Sequence, residues 1–101
     1  MNFNELTDAQ TERLALLAEE CGEVVYVVGK ILRHGYESQN PLDPKAITNV
    51  RMLEKELGDL RNAIQMMVNA GDLFERDIET AQRKKAETIH EWLHHQEAKT
   101  S

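Results

Sequence analysis

The chain has 101 residues, enough for one small domain, and carries a net charge of −6 with a pI of about 5.2. This acidic balance excludes the basic surface that binds nucleic-acid polymers, although a nucleotide can still be bound through metal ions. One cysteine, Cys21, allows no internal disulfide, and no apolar run has the length of a membrane span or a signal region. We therefore expect a cytoplasmic protein without a membrane partner.

The first predicted element is a helix that begins after Thr7 and ends before Gly35. Thr7 and Gln10 form the capping-box pattern of a helix start, and glycine is common directly after a helix. We expect its apolar stripe to face the core, with Cys21 as a small core residue. The stripe consists of Leu14, Leu17, Cys21, Val24, Val25, Val28 and Leu32.

A polar loop from His34 to Asp43 leads to the second predicted helix. Asp43 as N-cap and Pro44 in the first turn would start this helix, which runs to Ala70 and stops at Gly71. Its apolar side is wide, which predicts extensive burial against other helices. The central residues of that side are Val50, Leu53, Leu57, Leu60, Ile64, Met67 and Val68.

A third helical region is predicted from Asp72 or Asp77 to His95, with a break near Arg76 as an alternative. We expect its apolar residues to anchor it in the core, the aromatic and aliphatic pair near its end above all. These residues are Phe74, Ile78, Ala81, Ile89, Trp92 and Leu93. The composition and all three periodicities favour an all-α fold.

Two acidic pairs lie on the core-facing sides of the first two helices. Glu20 and Glu23 project from one face of the first helix, and Glu56 and Asp59 from one face of the second. Like charges this close repel each other, and buried carboxylates are usually paired, protonated or bound to metal. Carboxylate oxygens without histidine or thiolate suit Mg²⁺, with Mn²⁺ as a substitute. The pattern predicts a metal site between the two helices.

The same segments carry a resemblance to a known family. Residues 16–24 read LLAEECGEV and residues 54–60 read EKELGDL. Together they resemble the EExxE…ExxD signature of the MazG-like, all-α nucleoside triphosphate pyrophosphohydrolases. The resemblance extends over residues 10–89. It implies a single MazG-like helical domain over residues 1–101, whose active site lies between two long antiparallel helices and is completed by oligomerisation. We expect residues 1–6 and 96–101 to be frayed.

The resemblance also implies roles for individual residues. By position, Glu20, Glu23, Glu56 and Asp59 would hold Mg²⁺, and Glu19 would assist the metal or orient the attacking water. The implied reaction converts a nucleoside or deoxynucleoside triphosphate to monophosphate and pyrophosphate, as in the removal of unwanted nucleotides from the pool. A homodimer or homotetramer is the implied assembly.

Three lysines are candidates for binding the substrate phosphates. Lys30 follows Glu23 by two helical turns on nearly the same face. Lys84 matches a family pattern in the last helix, whereas Lys85 lies on the apolar side of that helix, so either could point inward. Two departures from the family are a longer loop at residues 35–43 and Thr88 where an arginine often stands.

Three other interpretations compete with the pyrophosphohydrolase. One is a non-enzymatic helical oligomer or partner-binding module whose acids form a solvated face. A di-iron carboxylate bundle expects Glu-x-x-His motifs, and neither acidic cluster contains a histidine. The segment from His90 to His94 matches HExxH, but a zinc protease also needs a third ligand and more chain, so we expect these histidines on the surface.

Overall fold

The computed structural model describes residues 3–97, and all regular structure in this range is helical. Helix α1 spans Asp8–His34. The Thr7 hydroxyl accepts from the Gln10 backbone N–H at 3.1 Å, and the Gln10 side chain accepts from the Thr7 N–H at 2.9 Å. This reciprocal capping box confirms the predicted start. Gly35 ends the helix with φ of 90°, a backbone conformation that favours glycine.

Helix α2 spans Asn49–Asn69, so the predicted start at Asp43 is wrong. The Asp43 side chain instead accepts from the Lys45 N–H at 2.9 Å, which closes a local turn. The first N–H groups of α2 find backbone acceptors in the preceding loop. The N–H of Asn49 donates to the carbonyl oxygen of Ser38, and that of Val50 to the carbonyl oxygen of Tyr36, both at 2.9 Å. The helix therefore begins where this loop satisfies its free donors.

The end of α2 lies close to the predicted one, with Ala70 as C-cap and Gly71 at φ of 84°. Helix α3 spans Glu75–Thr88, and a short 3₁₀ helix follows at Ile89–Glu91. The third helical region therefore starts between the two predicted starts, at 72 and 77, and ends well before position 95. Expected fraying at residues 1–2 and 98–101 lies outside the described residues.

Helices α1 and α2 pack against each other as an antiparallel hairpin. Arg13 near the start of α1 contacts Asp72, just beyond the end of α2, and Lys30 near the end of α1 contacts Met52 near the start of α2. The small core between them contains Val27, Ala63 and Met67. Buried Asn49 closes the loop end, since its side-chain amide donates to the Gly35 carbonyl oxygen at 3.1 Å.

The opposite end of the hairpin is fastened by a two-pronged ion pair. Arg13 Nε lies 2.6 Å from one Asp72 oxygen, and Nη2 lies 3.0 Å from the other. Both side chains are mostly shielded from solvent. The Arg13 hydrogen bond holds the pKa of Asp72 below its ordinary value, against the opposing effect of desolvation. We call this contact the Arg13–Asp72 clamp.

A second apolar stripe on α1 is exposed, which corrects the prediction that the stripe as a whole faces the core. Leu17 and Val24 are half-buried on the side toward α2. The exposed apolar residues recur along α1 at alternating intervals of four and three positions, which is the periodicity of a coiled-coil seam. We call them the apolar seam: Leu14, Ala18, Cys21, Val25, Val28 and Leu32.

Several expected core residues are thus on the surface of this chain. Val25 is 71% exposed and Leu32 is 82% exposed. Cys21 is exposed with the rest of the seam, because its position turns it away from α2. Trp92, at 75%, and Leu93, at 44%, are not the expected anchors, because they follow a short 3₁₀ helix that packs on α3.

The dimensions agree with this sparse burial. The radius of gyration is 17.5 Å, whereas a compact domain of this length has about 13 Å. Helix α3 packs on the short 3₁₀ helix that follows it. None of the helices among residues 3–97 combines the length and the apolar character needed to cross a membrane.

Candidate metal centre

Three carboxylates from the two hairpin helices converge at one point of their interface. Glu20 of α1 and Glu56 and Asp59 of α2 each offer an oxygen, and these three oxygens lie within 4.8 Å of one another. We call this group the acidic triad. Glu20 shares the α2-facing side of α1 with Val24 and half-buried neighbours. The antiparallel packing places it opposite the second acidic motif, as the sequence predicts.

Glu56 occupies a packing position rather than a solvent position. It lies on the same face of α2 as the buried residues Asn49 and Ala63, seven positions away on either side. Only 9% of the residue is exposed. Asp59, one turn further along, is half-buried. The triad is therefore partly withdrawn from water, which strengthens the interaction between its charges and with any cation.

The electrostatic cost of this grouping is visible at Glu20. Desolvation raises the pKa of its carboxyl above the ordinary value, and the charges of Asp59 and Glu56 raise it further. Glu19 and Glu23 add to the rise. A proton on Glu20 and a divalent cation within the triad are two ways to relieve the same repulsion.

Lys55 is a neighbour of the triad that the sequence analysis missed. Its ammonium nitrogen lies 3.0 Å from an Asp59 oxygen and 3.6 Å from a Glu56 oxygen. The hydrogen bond to Asp59 raises the pKa of Lys55, and the charges of Asp59 and Glu56 add to that rise. Its spacing of four from Asp59 on a helix is the signal that could have identified it. This exposed lysine partly neutralises the triad from the solvent side.

The other predicted metal and catalytic residues lie beside the triad rather than in it. Glu23 is exposed one turn beyond Glu20, and its carboxylate is outside the group of three. Glu19 is exposed next to Glu20 in the chain. Both are close enough for their charges to act on Glu20. The structure thus brings together three of the four predicted ligands.

The predicted phosphate-binding lysines differ in their surroundings. Lys30 is half-buried, with its ammonium nitrogen 5.8 Å from the Tyr26 ring centroid and 4.0 Å from the Met52 sulfur. Lys84 and Lys85 are both exposed on α3. Helix α3 packs mainly on the following 3₁₀ helix, so neither lysine is placed beside the triad.

The HExxH match does not form a helical metal pair. Because α3 ends at Thr88 and gives way to a 3₁₀ turn, His90 and His94 are not one α-helical turn apart on a common face. Both are exposed. Within residues 3–97 the acidic triad is the only cluster of three or more ligand groups close enough to share an ion.

Comparison of the chain with family models, curated proteins and solved structures gives no match.

Proposed function

We propose that this chain is a Mg²⁺-dependent nucleotide pyrophosphohydrolase that converts a nucleoside or deoxynucleoside triphosphate to monophosphate and pyrophosphate. The observation that carries the proposal is the convergence of the acidic triad, Glu20, Glu56 and Asp59, from two helices. Three carboxylates without histidine or thiolate form a donor set that suits Mg²⁺ and Mn²⁺. The resemblance to the MazG-like signature supports the choice of reaction.

The residues of the triad fit a divalent cation. Their oxygens are close together and partly shielded, and the exposed Lys55 leaves them incompletely neutralised. When bound, Mg²⁺ would neutralise the triphosphate and lower the pKa of a water that attacks the α-phosphorus. Glu23, one turn away, would complete the ligand set.

Glu19 is the proposed group that orients or deprotonates the attacking water. It is exposed and adjacent to Glu20 in the chain, so its carboxylate can lie at the edge of the triad without belonging to it. A general base needs this combination of proximity and freedom from the metal. Lys30, Lys84 and Lys85 stay predictions for phosphate binding, with Lys30 supported by its half-buried position.

The proposed assembly pairs the apolar seam of one copy with a second copy, in a homodimer or homotetramer. Six seam positions of one helix are exposed at coiled-coil spacing, from Leu14 to Leu32. Such a contiguous apolar strip is rarely left in water, and a symmetric pair of hairpins would form a four-helix bundle around it. The single cysteine and net charge of −6 accord with the cytoplasm as its location.

A non-enzymatic helical oligomer is the second candidate, and the apolar seam is the observation that favours it. This alternative needs only the seam and treats the triad as a solvated acidic face. The two functions differ in what Mg²⁺ does. The oligomer would form equally well with and without the ion, whereas the enzyme requires it for turnover.

The test is a screen of nucleoside and deoxynucleoside triphosphates with Mg²⁺, scoring pyrophosphate against orthophosphate. Hydrolysis in ¹⁸O-water should place the label in the monophosphate, because water attacks the α-phosphorus. Label in orthophosphate would contradict this mechanism and leave the metal site intact. Glu54→Gln is a matched control for Glu56→Gln, since Glu54 is exposed on the same helix and paired with Arg51.

A further inference from the structure

A cavity of about 300 Å³ opens where α1, the following loop and the start of α2 meet. Its lining residues come from three separate segments, and most of them carry polar side chains. The lining includes Lys30, His34, Ser38, Asn40 and Asn49. We call it the Lys30 cavity.

Lys30 is the unusual member of this lining. Among the lysines of the described chain it alone is half-buried, while Lys45, Lys55, Lys84 and Lys85 are exposed. It forms no ion pair with a carboxylate among residues 3–97, although the whole chain has 18 acidic residues against 12 basic ones. A partly desolvated ammonium without a counter-ion favours an anionic ligand.

The contacts of Lys30 direct its side chain without neutralising its charge. The Tyr26 ring, one turn back on α1, lies 5.8 Å from the ammonium, and the Met52 sulfur is a weak acceptor at 4.0 Å. Tyr26 and Met52 therefore hold the ammonium of a lysine that also lines the cavity. The ammonium keeps strong donors for a ligand.

The position of Lys30 relative to the acidic triad follows from α2. Met52 precedes Glu56 by one turn, a step of about 5.4 Å along a helix axis. Met52 thus lies between Glu56 and the loop end of α2, and the Lys30 ammonium contacts its sulfur. A proposed cation site followed along α2 by an unpaired ammonium has the order of charges that a metal-bound polyphosphate requires.

We propose that the Lys30 cavity binds the pyrophosphate portion of the nucleotide, which is the leaving group of the reaction. This inference rests on the proposed function. The Lys30 ammonium supplies the charge, and the His34 ring, the Ser38 hydroxyl and the Asn40 amide supply further hydrogen-bond donors. The Asn40 oxygen already accepts from the Leu42 N–H at 3.0 Å, which leaves its amide N–H groups to donate.

The loop of residues 35–43 gains a role from this assignment. Backbone bonds from Asn49 and Val50 hold its carbonyl groups at Ser38 and Tyr36 against the start of α2. The buried Asn49 side chain ties its first residue, Gly35, to the same point. These bonds fix Ser38 in the cavity wall, and Asn40 is held by the N–H groups of Leu42 and Asp43. The extra length of this loop therefore builds the far side of the pyrophosphate pocket.

The test is calorimetric titration of the full chain with pyrophosphate in EDTA at low ionic strength, which isolates the cavity from the metal. Wild type should bind saturably, and Lys30→Met should weaken binding at least about tenfold through loss of a charge-assisted contact. Lys30→Arg should retain most of the affinity. Lys45→Met, an exposed lysine nearby in the chain, should change it less than about twofold.

Equal affinity of wild type and Lys30→Met for pyrophosphate would overturn the proposal. It would also be overturned if the wild-type protein bound a nucleoside but not pyrophosphate. Circular dichroism of each variant verifies that the helices persist. Failure of the cavity and failure of the proposed function remain distinct. If the chain hydrolyses nucleotides and Lys30→Met leaves the kinetics unchanged, the cavity proposal is wrong and the proposed function stands. If pyrophosphate binding depends on Lys30 but no nucleotide is hydrolysed, the proposed function is wrong and the cavity binds pyrophosphate.

Discussion

The clamp and the acidic triad, two polar contacts that join α1 to the second half of the hairpin, have opposite charge balance. At one end, the clamp of Arg13 and Asp72 joins one positive and one negative group at 2.6 Å and 3.0 Å. Near the middle, the acidic triad brings together three negative groups, with only the exposed Lys55 opposing them. The clamp satisfies its own charges and can act through stability alone.

The triad does not satisfy its charges, and that difference assigns the two regions different roles. Desolvation and neighbouring carboxylates raise the pKa of Glu20, while the Arg13 hydrogen bond lowers the pKa of Asp72. Opposite shifts at one helix interface mean that the hairpin gains stability from one contact and loses it to the other. The triad lowers stability at a position where neutral side chains could pack instead. Such a group of residues is a candidate for a functional site.

The largest expected effect separates activity from stability at the triad. Glu56→Gln and Asp59→Asn each remove a carboxylate charge from the triad and keep the side-chain shape. Nucleotide turnover should fall at least about 100-fold, more than loss of an outer partner of a metal ligand costs. The melting temperature without metal should stay level or rise. Glu54→Gln should change neither, and near wild-type turnover of both triad variants would contradict the assignment.

The next effect concerns the surface that neither polar contact covers. Val25→Lys places a charge in the centre of the apolar seam, where a two-fold interface would bring it against its own copy. Sedimentation equilibrium should show that the dissociation constant of the dimer rises at least about tenfold, because burying an unpaired charge is unfavourable. Leu42→Lys is the control, because Leu42 is an exposed apolar residue outside the seam. A monomeric wild type would contradict the assembly.

A smaller effect is expected from breaking the clamp. Asp72→Asn removes the charge that Arg13 contacts through both its Nε and Nη2 donors and leaves that guanidinium partly shielded without a counter-ion. The melting temperature should fall by a few degrees, while turnover at a temperature where the protein remains folded should be unchanged. Glu79→Gln, an exposed site on α3, serves as a control. Loss of turnover in the folded Asp72→Asn variant would show that the clamp also supports the site.

The smallest effect is a pH dependence with two limbs of opposite sign. Because its folded pKa is raised, Glu20 contributes stability below its ordinary value of 4.5, and this contribution is lost as pH rises through the folded pKa. Asp72, with a lowered pKa, contributes above its ordinary value of 3.8 and loses that contribution as pH falls toward its folded pKa. Chemical unfolding of the metal-free protein from pH 3 to pH 7 should therefore show greatest stability in the mildly acidic range, with an acid limb that Asp72→Asn flattens.

Local signals in the sequence predicted part of the fold well. Thr7 and Gln10 satisfy each other within one turn, so the start of α1 depends on no distant contact. The start of α2 depends on carbonyl groups at Tyr36 and Ser38, which lie across a loop from Asn49. No local pattern encodes that pairing, and Asp43, which has the composition of a cap, closes a turn instead.

The candidate site was predictable where periodicity alone decides it. Glu56 and Asp59 fall within the apolar side of α2, and Glu20 on the edge of the apolar side of α1, so their convergence follows from packing the two sides. The apolar side of α1 actually consists of two stripes. Periodicity cannot tell which stripe meets α2 and which remains exposed, and Cys21 and Val25 were therefore expected in the core.

The central claim is that the acidic triad binds a divalent cation, and thermal unfolding against Mg²⁺ concentration tests it most directly. A cation that binds only the folded chain raises the melting temperature by mass action. A saturable rise is expected for wild type, for the Glu54→Gln control and for Asp72→Asn from its lower starting point, and little or no rise for Glu56→Gln. A wild-type melting temperature indifferent to millimolar Mg²⁺ and Mn²⁺, or an equal rise in Glu56→Gln, would contradict this claim.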